Sequence, residues 1–191
     1  MSNRRPKPGR TLGLGPPEGQ QWAWMTSTMM GALTFRALSI AARRILDRLH
    51  VEHMAHAGME NGALVVTYDQ FEEWGVTRDD IRRGLEELYV TGFVEQTRQG
   101  FRVASSKTPS LYALTWLPTH AGDIAQATPP SHLWMAVLDR LRTEGTFTLK
   151  SIKKWLSVQT ADTRRGHGRK RSTSPHLRPV PVLKCELEAV G

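Results

Sequence analysis

Residues 67–95 read TYDQFEEWGVTRDDIRRGLEELYVTGFVE, and the fold turns on how this stretch divides. Thr67 is an N-cap residue type, and Phe71 and Trp74 give the segment behind it an apolar pair at i, i+3. Gly75 stands where a turn needs a residue free to take positive φ. Thr77 opens a second helix, with Asp80 three positions on as an acidic variant of the capping box. Ile81, Leu85, Leu88 and Tyr89 then recur at i, i+4, i+7 and i+8, which is one helical face. Gly92 is placed just past the helix end, and residues 93–97 (FVEQT) begin a strand. Helix, turn, helix, strand is the order of a helix-turn-helix whose second helix holds the recognition position. The plainer alternative is a helical hairpin with no ligand.

The flanks extend the pattern. Over residues 35–56, Leu38, Ala41, Ala42, Ile45 and Leu49 keep a 3.6-residue spacing, with Arg43, Arg44, Asp47 and Arg48 on the other side and Ser39 as a cap. Before it, Trp22 and Trp24 mark where burial begins, and a short helix after Thr26 turns Met29, Met30 and Leu33 inward. Leu64-Val65-Val66 is a short β-prone run leading into Thr67, and residues 111–116 (LYALTW) alternate as a third strand. The polar segment 98–110 between the strands is expected to be a loop. Helix, strand, helix, helix, strand, loop, strand is the order of a winged helix, with residues 98–110 as the wing.

The fold class expected is therefore α+β, mainly α: a winged helix-turn-helix domain over residues 22–118, with a small helical C-terminal appendage and disordered tails. Residues 1–21 form a basic arm with too little apolar surface to offset the entropy of ordering. Residues 119–130 are a linker, 131–157 the appendage, and 158–191 a disordered basic tail containing the run RRGHGRKRS. In the appendage, Ser131 caps a helix with Trp134, Val137, Leu138 and Leu141 in one stripe, ended by Gly145. Thr148 caps another with Ile152, Trp155 and Leu156 on one side and Lys150, Lys153 and Lys154 on the other. This unit is read as packed on the winged helix, as a dimerisation element that would make a homodimer, or as a degenerate second helix-turn-helix.

Charge is unevenly placed. The 191 residues carry a net charge of +8 and a pI near 10.1, which points to nucleic acid or another polyanion as partner. Yet residues 39–118 hold nine Lys/Arg against eleven acids, while the segments on either side are all net positive. Cys185 is the only cysteine, so no intramolecular disulfide or thiolate metal cluster is expected. No run approaches the ~18 apolar residues of a membrane span, no secretory signal is expected, and the bacterial cytosol or nucleoid is the compartment that fits.

Enzymatic chemistry finds no support. The phosphate-cradling GxxxxGK[ST], GxSxG and HExxH patterns are absent. Glu72-Glu73 and Glu86-Glu87 are adjacent on helices, so each pair splays apart. His50, His53 and His56 step by three, a rotation of about 60° each time, which prevents all three from converging on one ion. No cofactor or metal is expected.

At this point FRALSIAARRILDRLHVEHM, VTYDQFEEWGV, GFVEQT and LYALTWLPT together resemble a group of small bacterial winged-helix proteins, similar to the DNA-binding portions of plasmid and phage replication initiators. The resemblance spans about residues 22–118 and implies contact with double-stranded DNA by the recognition helix, residues 77–91, and the wing. It does not separate an initiator from a transcriptional regulator. From the residues themselves, Thr77, Arg78, Arg82 and Arg83 point outward from the recognition helix, and Arg98, Arg102 and Lys107 lie in the wing. Asp79 and Asp80 suit the positive end of the helix dipole but repel phosphate. Two alternatives stay open: Arg82 and Arg83 pair with Glu86 and Glu87 along the helix, and the winged helix serves as a protein–protein interaction module whose basic tails add non-specific nucleic-acid affinity.

Overall fold

The computed structural model describes residues 21–103, 106–120, 127–145 and 147–165, the side chains at 102–107 and 162–165 excepted. The expected disorder of residues 1–20 and 166–191 lies outside the described residues. Within them the protein is α+β and mainly helical. Its helices are α1 (Ser27–Gly31), α2 (Leu33–Ala37), α3 (Ile40–Ala55), α4 (Tyr68–Glu73), α5 (Arg78–Val90), α6 (Leu133–Thr143) and α7 (Leu149–Arg165). Its strands are β1 (Val94–Arg98), β2 (Phe101–Val103), β3 (Ser106–Thr108) and β4 (Leu111–Leu114).

The helix expected over residues 35–56 is divided. Backbone ψ swings to 139° at Ala32 and 140° at Leu38, so α2 ends and α3 starts afresh at Ser39. The Ser39 hydroxyl accepts the Ala42 N–H at 3.1 Å, while its own N–H donates to the Glu87 carboxylate at 2.9 Å. That break lets the short α2 point Phe35 into the main core and Ala37 into a second cluster with Leu141 and Ile152. The expectation that burial begins at Trp22 and Trp24 is corrected: they are 62% and 43% exposed. The segment preceding α1 is non-helical and reaches the core through the partly buried Ala23 and Met25 and through backbone, the Trp24 carbonyl accepting from the Trp116 indole at 3.1 Å. Met29 is buried, but Met30 is half exposed.

Helix α4 carries a full capping box, Thr67 with Gln70. It is one and a half turns long, so Trp74 falls at its C-cap and stays partly exposed while Phe71 alone fills the core. Gly75 turns the chain at φ +75°, and Val76 is buried. Helix α5 buries Ile81, Gly84, Leu85 and Leu88 against α3. Gly84 is required by that crossing: a Cβ there would lie 2.6 Å from Ile45 Cδ1 and 3.1 Å from the Ala42 nitrogen. At the other end, Gly92 N–H bonds to Tyr89 C=O and Phe93 N–H to Leu88 C=O, with Gly92 at φ +76°. This is a Schellman close, and the buried Phe93 and Leu88 supply its apolar contact.

Strands β1 and β4 pair antiparallel, Val94 opposite Leu114 and Gln96 opposite Tyr112, and Leu64 adds a single bridge on the far side of Tyr112. The register shifts between Gln96 and Arg98. Beyond it the segment expected as a loop is a second antiparallel hairpin, β2 on β3, with Phe101 opposite Thr108 and Arg102 opposite Lys107. Backbone pairing accounts for the difference, since a polar β-ribbon satisfies its amides internally where a loop relies on water.

The segment after residue 118 is tied to the body rather than free. Thr119 and Thr128 exchange backbone hydrogen bonds at 3.0 and 2.8 Å, and His120 N–H donates to the Asn61 carbonyl at 3.0 Å. Residues 121–126 of the expected linker lie outside the described residues. Helix α6 starts at His132 in a left-handed conformation, φ 47°, with no side-chain cap, so Ser131 is not its cap. Thr148 does cap α7, trading hydrogen bonds with Ser151. Helix α7 runs on to Arg165, past the boundary expected at 157, because Thr160 continues the buried stripe of Ile152 and Leu156. Both C-terminal helices pack on α2, and α7 also on α5. The Trp134 ring stacks on Phe93 at 6.0 Å, and Phe35 meets Phe93 edge-on at 5.5 Å. No helix among the described residues is long and apolar enough to cross a membrane.

Candidate nucleic-acid interface

Helix α5 is amphipathic: the face opposite Gly84 carries Arg78, Asp79, Arg82 and Glu86, with Asp80, Arg83 and Glu87 along its flanks. Thr77 occupies the N-cap position, but its hydroxyl donates to the Asp80 carboxylate at 2.7 Å instead of accepting from the backbone. The reciprocal capping box expected there does not form. Arg78, one residue on, reaches back to α4, where it is held by Asp69 and by Glu72 at 2.8 Å. Hydrogen bonding to Glu72, its charge, and the Asp69 contact raise the guanidinium pKa further above its ordinary value. Arg82 pairs with Glu86 at 3.0 Å and Arg83 with Glu87 at 3.4 Å, both at i, i+4. All three arginines are about half exposed.

The local sequence explains this. An arginine followed four residues later by glutamate meets it on the helix surface, and α4 ends in acids across the Gly75 turn from Arg78. Exposed or part-exposed acids on α4 and α5 (Asp69, Glu72, Glu73, Asp79, Asp80 and Glu86) outnumber these arginines. Beneath Arg83, a cavity of about 220 Å³ is lined by Ser39, Ala41, Asp80, Arg83 and Gly84. It is smaller than the ~300 Å³ at which small-molecule pockets begin.

Arg98 is exposed at the end of β1, where the register slips before the hairpin. It forms no ion pair with another described residue. Arg102 and Lys107 are backbone partners across the β2–β3 hairpin, and their side chains lie outside the described residues. Thr77, Arg78, Arg82 and Arg83 thus share one helix, and Arg98, Arg102 and Lys107 share the ribbon that follows it.

Two residues matter more than their sequence context suggests. Glu87 is 3% exposed and ties α5 to the start of α3: it accepts the Ser39 N–H and faces Arg83 on its own helix. In the sequence it is indistinguishable from Glu86; only its angular position, 60° from Gly84 on the wheel at about 100° per residue, could have flagged it. Asn61 is fully buried, its amide nitrogen 2.9, 3.0 and 3.1 Å from the carbonyls of Leu114, Leu117 and Pro118, its oxygen accepting the Leu114 N–H at 2.7 Å. It reads as a turn residue and acts as a clamp on the end of β4.

The histidines of α3 belong to its packing. His53 is buried with Nδ1 unpartnered, and burial together with the neighbouring His50 and His120 pushes its pKa down to about 4. Burial also lowers that of His50, whose ring meets Trp116 edge-on at 5.8 Å. His56 lies between Glu52 and Glu60. Among the described residues no three His, Cys, Asp or Glu are placed to share a metal ion. No protein-family model, curated protein or solved structure matches this chain.

Proposed function

We propose that this protein binds double-stranded DNA through a winged helix, with α5 as the helix that enters the major groove and β2–β3 as the wing. The observation that carries the reading is the arrangement around α5. A capped α4 and a glycine turn set its start, a basic hairpin follows its end, and Arg82 stands on the face turned away from α3, with Arg83 at its edge above Ser39 and Ala41. Ion pairing does not disqualify these side chains. An i, i+4 pair on a helix surface is worth about 0.3–0.5 kcal/mol, whereas a bidentate arginine–guanine contact supplies about 1–3 kcal/mol of discrimination. Arg82 can therefore trade Glu86 for a base edge, whereas Arg83 faces the nearly buried Glu87 and is held more firmly. Arg78, held by two carboxylates from α4, serves better to fix the helix-to-helix angle than to read a base. The resemblance to initiator DNA-binding portions carries the process, plasmid- or phage-type replication or transcriptional control in the bacterial cytoplasm, and the protein acts as a binder without catalysis or cofactor.

One observation favours a second reading, a winged helix used to dock another protein. Carboxylates already engage every arginine of α5, and the α4–α5 surface holds more acids than bases. Selection of bound sites from a random duplex library, with the full chain, separates the two. A preferred site, bound less tightly as salt rises and lost in the Arg82→Ala, Arg83→Ala double variant, supports DNA reading. Binding indifferent to salt and to both substitutions, or no enrichment of any site, overturns it in favour of a protein partner.

A further inference from the structure

We infer that the solvent face of α7 is a second, sequence-indifferent surface for the phosphate backbone of the same duplex. The inference rests on the DNA-binding function proposed above and concerns where the affinity comes from. Helix α7 turns Ile152, Leu156 and Thr160 into the body and leaves Lys150, Lys153, Lys154, Ser157 and Ala161 exposed. At about 100° per residue, those five positions and sequence positions 164 and 165, both arginine, fall within one arc of about 120°. Helix α7 carries one acid, Asp162, whose position lies about 60° beyond the edge of that arc. Lys150, Lys153 and Lys154 form no ion pair with another described residue, unlike every arginine of α5.

The geometry suits a polyanion of fixed linear spacing. Positions 150 to 165 span about 22 Å of helix at 1.5 Å per residue, a length over which one DNA strand presents about six phosphates. A membrane surface fits less well, because binding in the headgroup layer needs an apolar face beside the basic one, and Ile152, Leu156 and the partly buried Leu149 and Trp155 of α7 are packed into the body, with Val158 a single exposed apolar residue beside the lysines. The spacers Ser157 and Ala161 are small, which lets a backbone approach closely. Lysines held in place by the helix yet without carboxylate partners lose only counterions and water on meeting phosphate. Helix α7 also packs directly on α5, so both surfaces belong to one rigid neighbourhood.

The test uses the full chain and a random-sequence duplex, measuring affinity between 50 and 200 mM salt for the wild type, Lys150→Gln/Lys153→Gln/Lys154→Gln, and the matching triple Lys→Arg. The expected result is a salt slope shallower by about 2–3 in the Gln variant, at about 0.9 per phosphate contact, with the Arg variant keeping the wild-type slope and all three melting alike. A wild-type chain that binds duplex with a slope the Gln variant leaves unchanged overturns the inference and leaves the proposed function standing. Failure of the wild type to bind any duplex overturns both. Salt-dependent capture by phosphatidylserine vesicles, lost in the Gln variant and with no duplex binding, assigns the face to a membrane surface and also overturns it.

Discussion

Helices α5 and α7 pack on one another yet treat positive charge in opposite ways. Helix α5 carries arginines, each met by a carboxylate, two of them at i, i+4 and one across the turn from α4. Helix α7 carries lysines that meet none among the described residues. Guanidinium is planar and forked, so a carboxylate partner holds it in one orientation, whereas an ammonium is a mobile point charge. Under the proposed function the difference separates two tasks: aiming a few groups at base edges, and gathering affinity from the backbone. It also bears on the charge puzzle of a mildly acidic central region in a strongly basic chain, since the three lysines of α7 that form no ion pair with a described residue lie outside residues 39–118.

If the tasks are divided in this way, Arg82→Ala with Arg83→Ala removes about 1–3 kcal/mol of discrimination per arginine. Competition between a selected site and random duplex measures it, and an unchanged preference breaks the comparison. A comparable effect acts on α3, the helix on which α5 packs. His53 has a folded pKa near 4 against the ordinary 6.5, so the unfolded chain binds the extra proton. Its stabilising contribution is complete above pH 6.5 and is lost as pH falls towards 4, by up to about 3 kcal/mol. Urea melts at pH 6.5 and 5 should show the loss, and His53→Leu should flatten it, with His50, His120 and Asp47 as the remaining titrating neighbours. Glu87→Gln weakens the bond to the Ser39 N–H and releases Arg83; a charged hydrogen bond contributes about 1.5–3 kcal/mol and its neutral replacement about half that. Thermal unfolding should fall accordingly while salt-dependent duplex binding rises slightly. The smallest effect is expected from Asp69→Asn with Glu72→Gln: releasing the tie by which Arg78 fixes α4 against α5 should weaken binding to a selected site a few-fold, and tighter binding would show that α4's acids restrain Arg78 rather than position the helix.

Much of this architecture was legible in periodicity and punctuation. Thr67, Gly75, Ile81, Leu85, Leu88 and Gly92 occupy the places their spacing assigns, because caps, positive-φ turns and a helical stripe are local requirements. The errors are tertiary. The interruption at Leu38–Ser39 depends on a carboxylate 48 residues away, which no window around Ser39 contains. Trp22 and Trp24 look like core residues by type, but Trp24 meets the buried Trp116 with its carbonyl, and both side chains stay exposed. The ribbon between Arg98 and Ser110 hides in polar sequence because its pairing is carried by backbone. As for the interface, residue types and outward positions could be read directly; which arginine is engaged by which acid could be narrowed only to the i, i+4 pairs, and Arg78's partners on α4 needed the turn to be built.

The flat contact between Trp134 and Phe93 has a consequence for inheritance and dissection. Gly92 sits so close to Leu133 and Trp134 that a single Cβ would collide at 2.8 Å, so the two halves of the chain are fitted to each other atom by atom. Cutting after residue 118, the seam that composition suggests, would leave the Phe93 ring and the Ala37 side of α2 facing water. A fragment ended there should be sticky and poorly soluble. In exchange between genomes, the transferable piece is the whole body through α7, and recombination breakpoints inside it should be selected against.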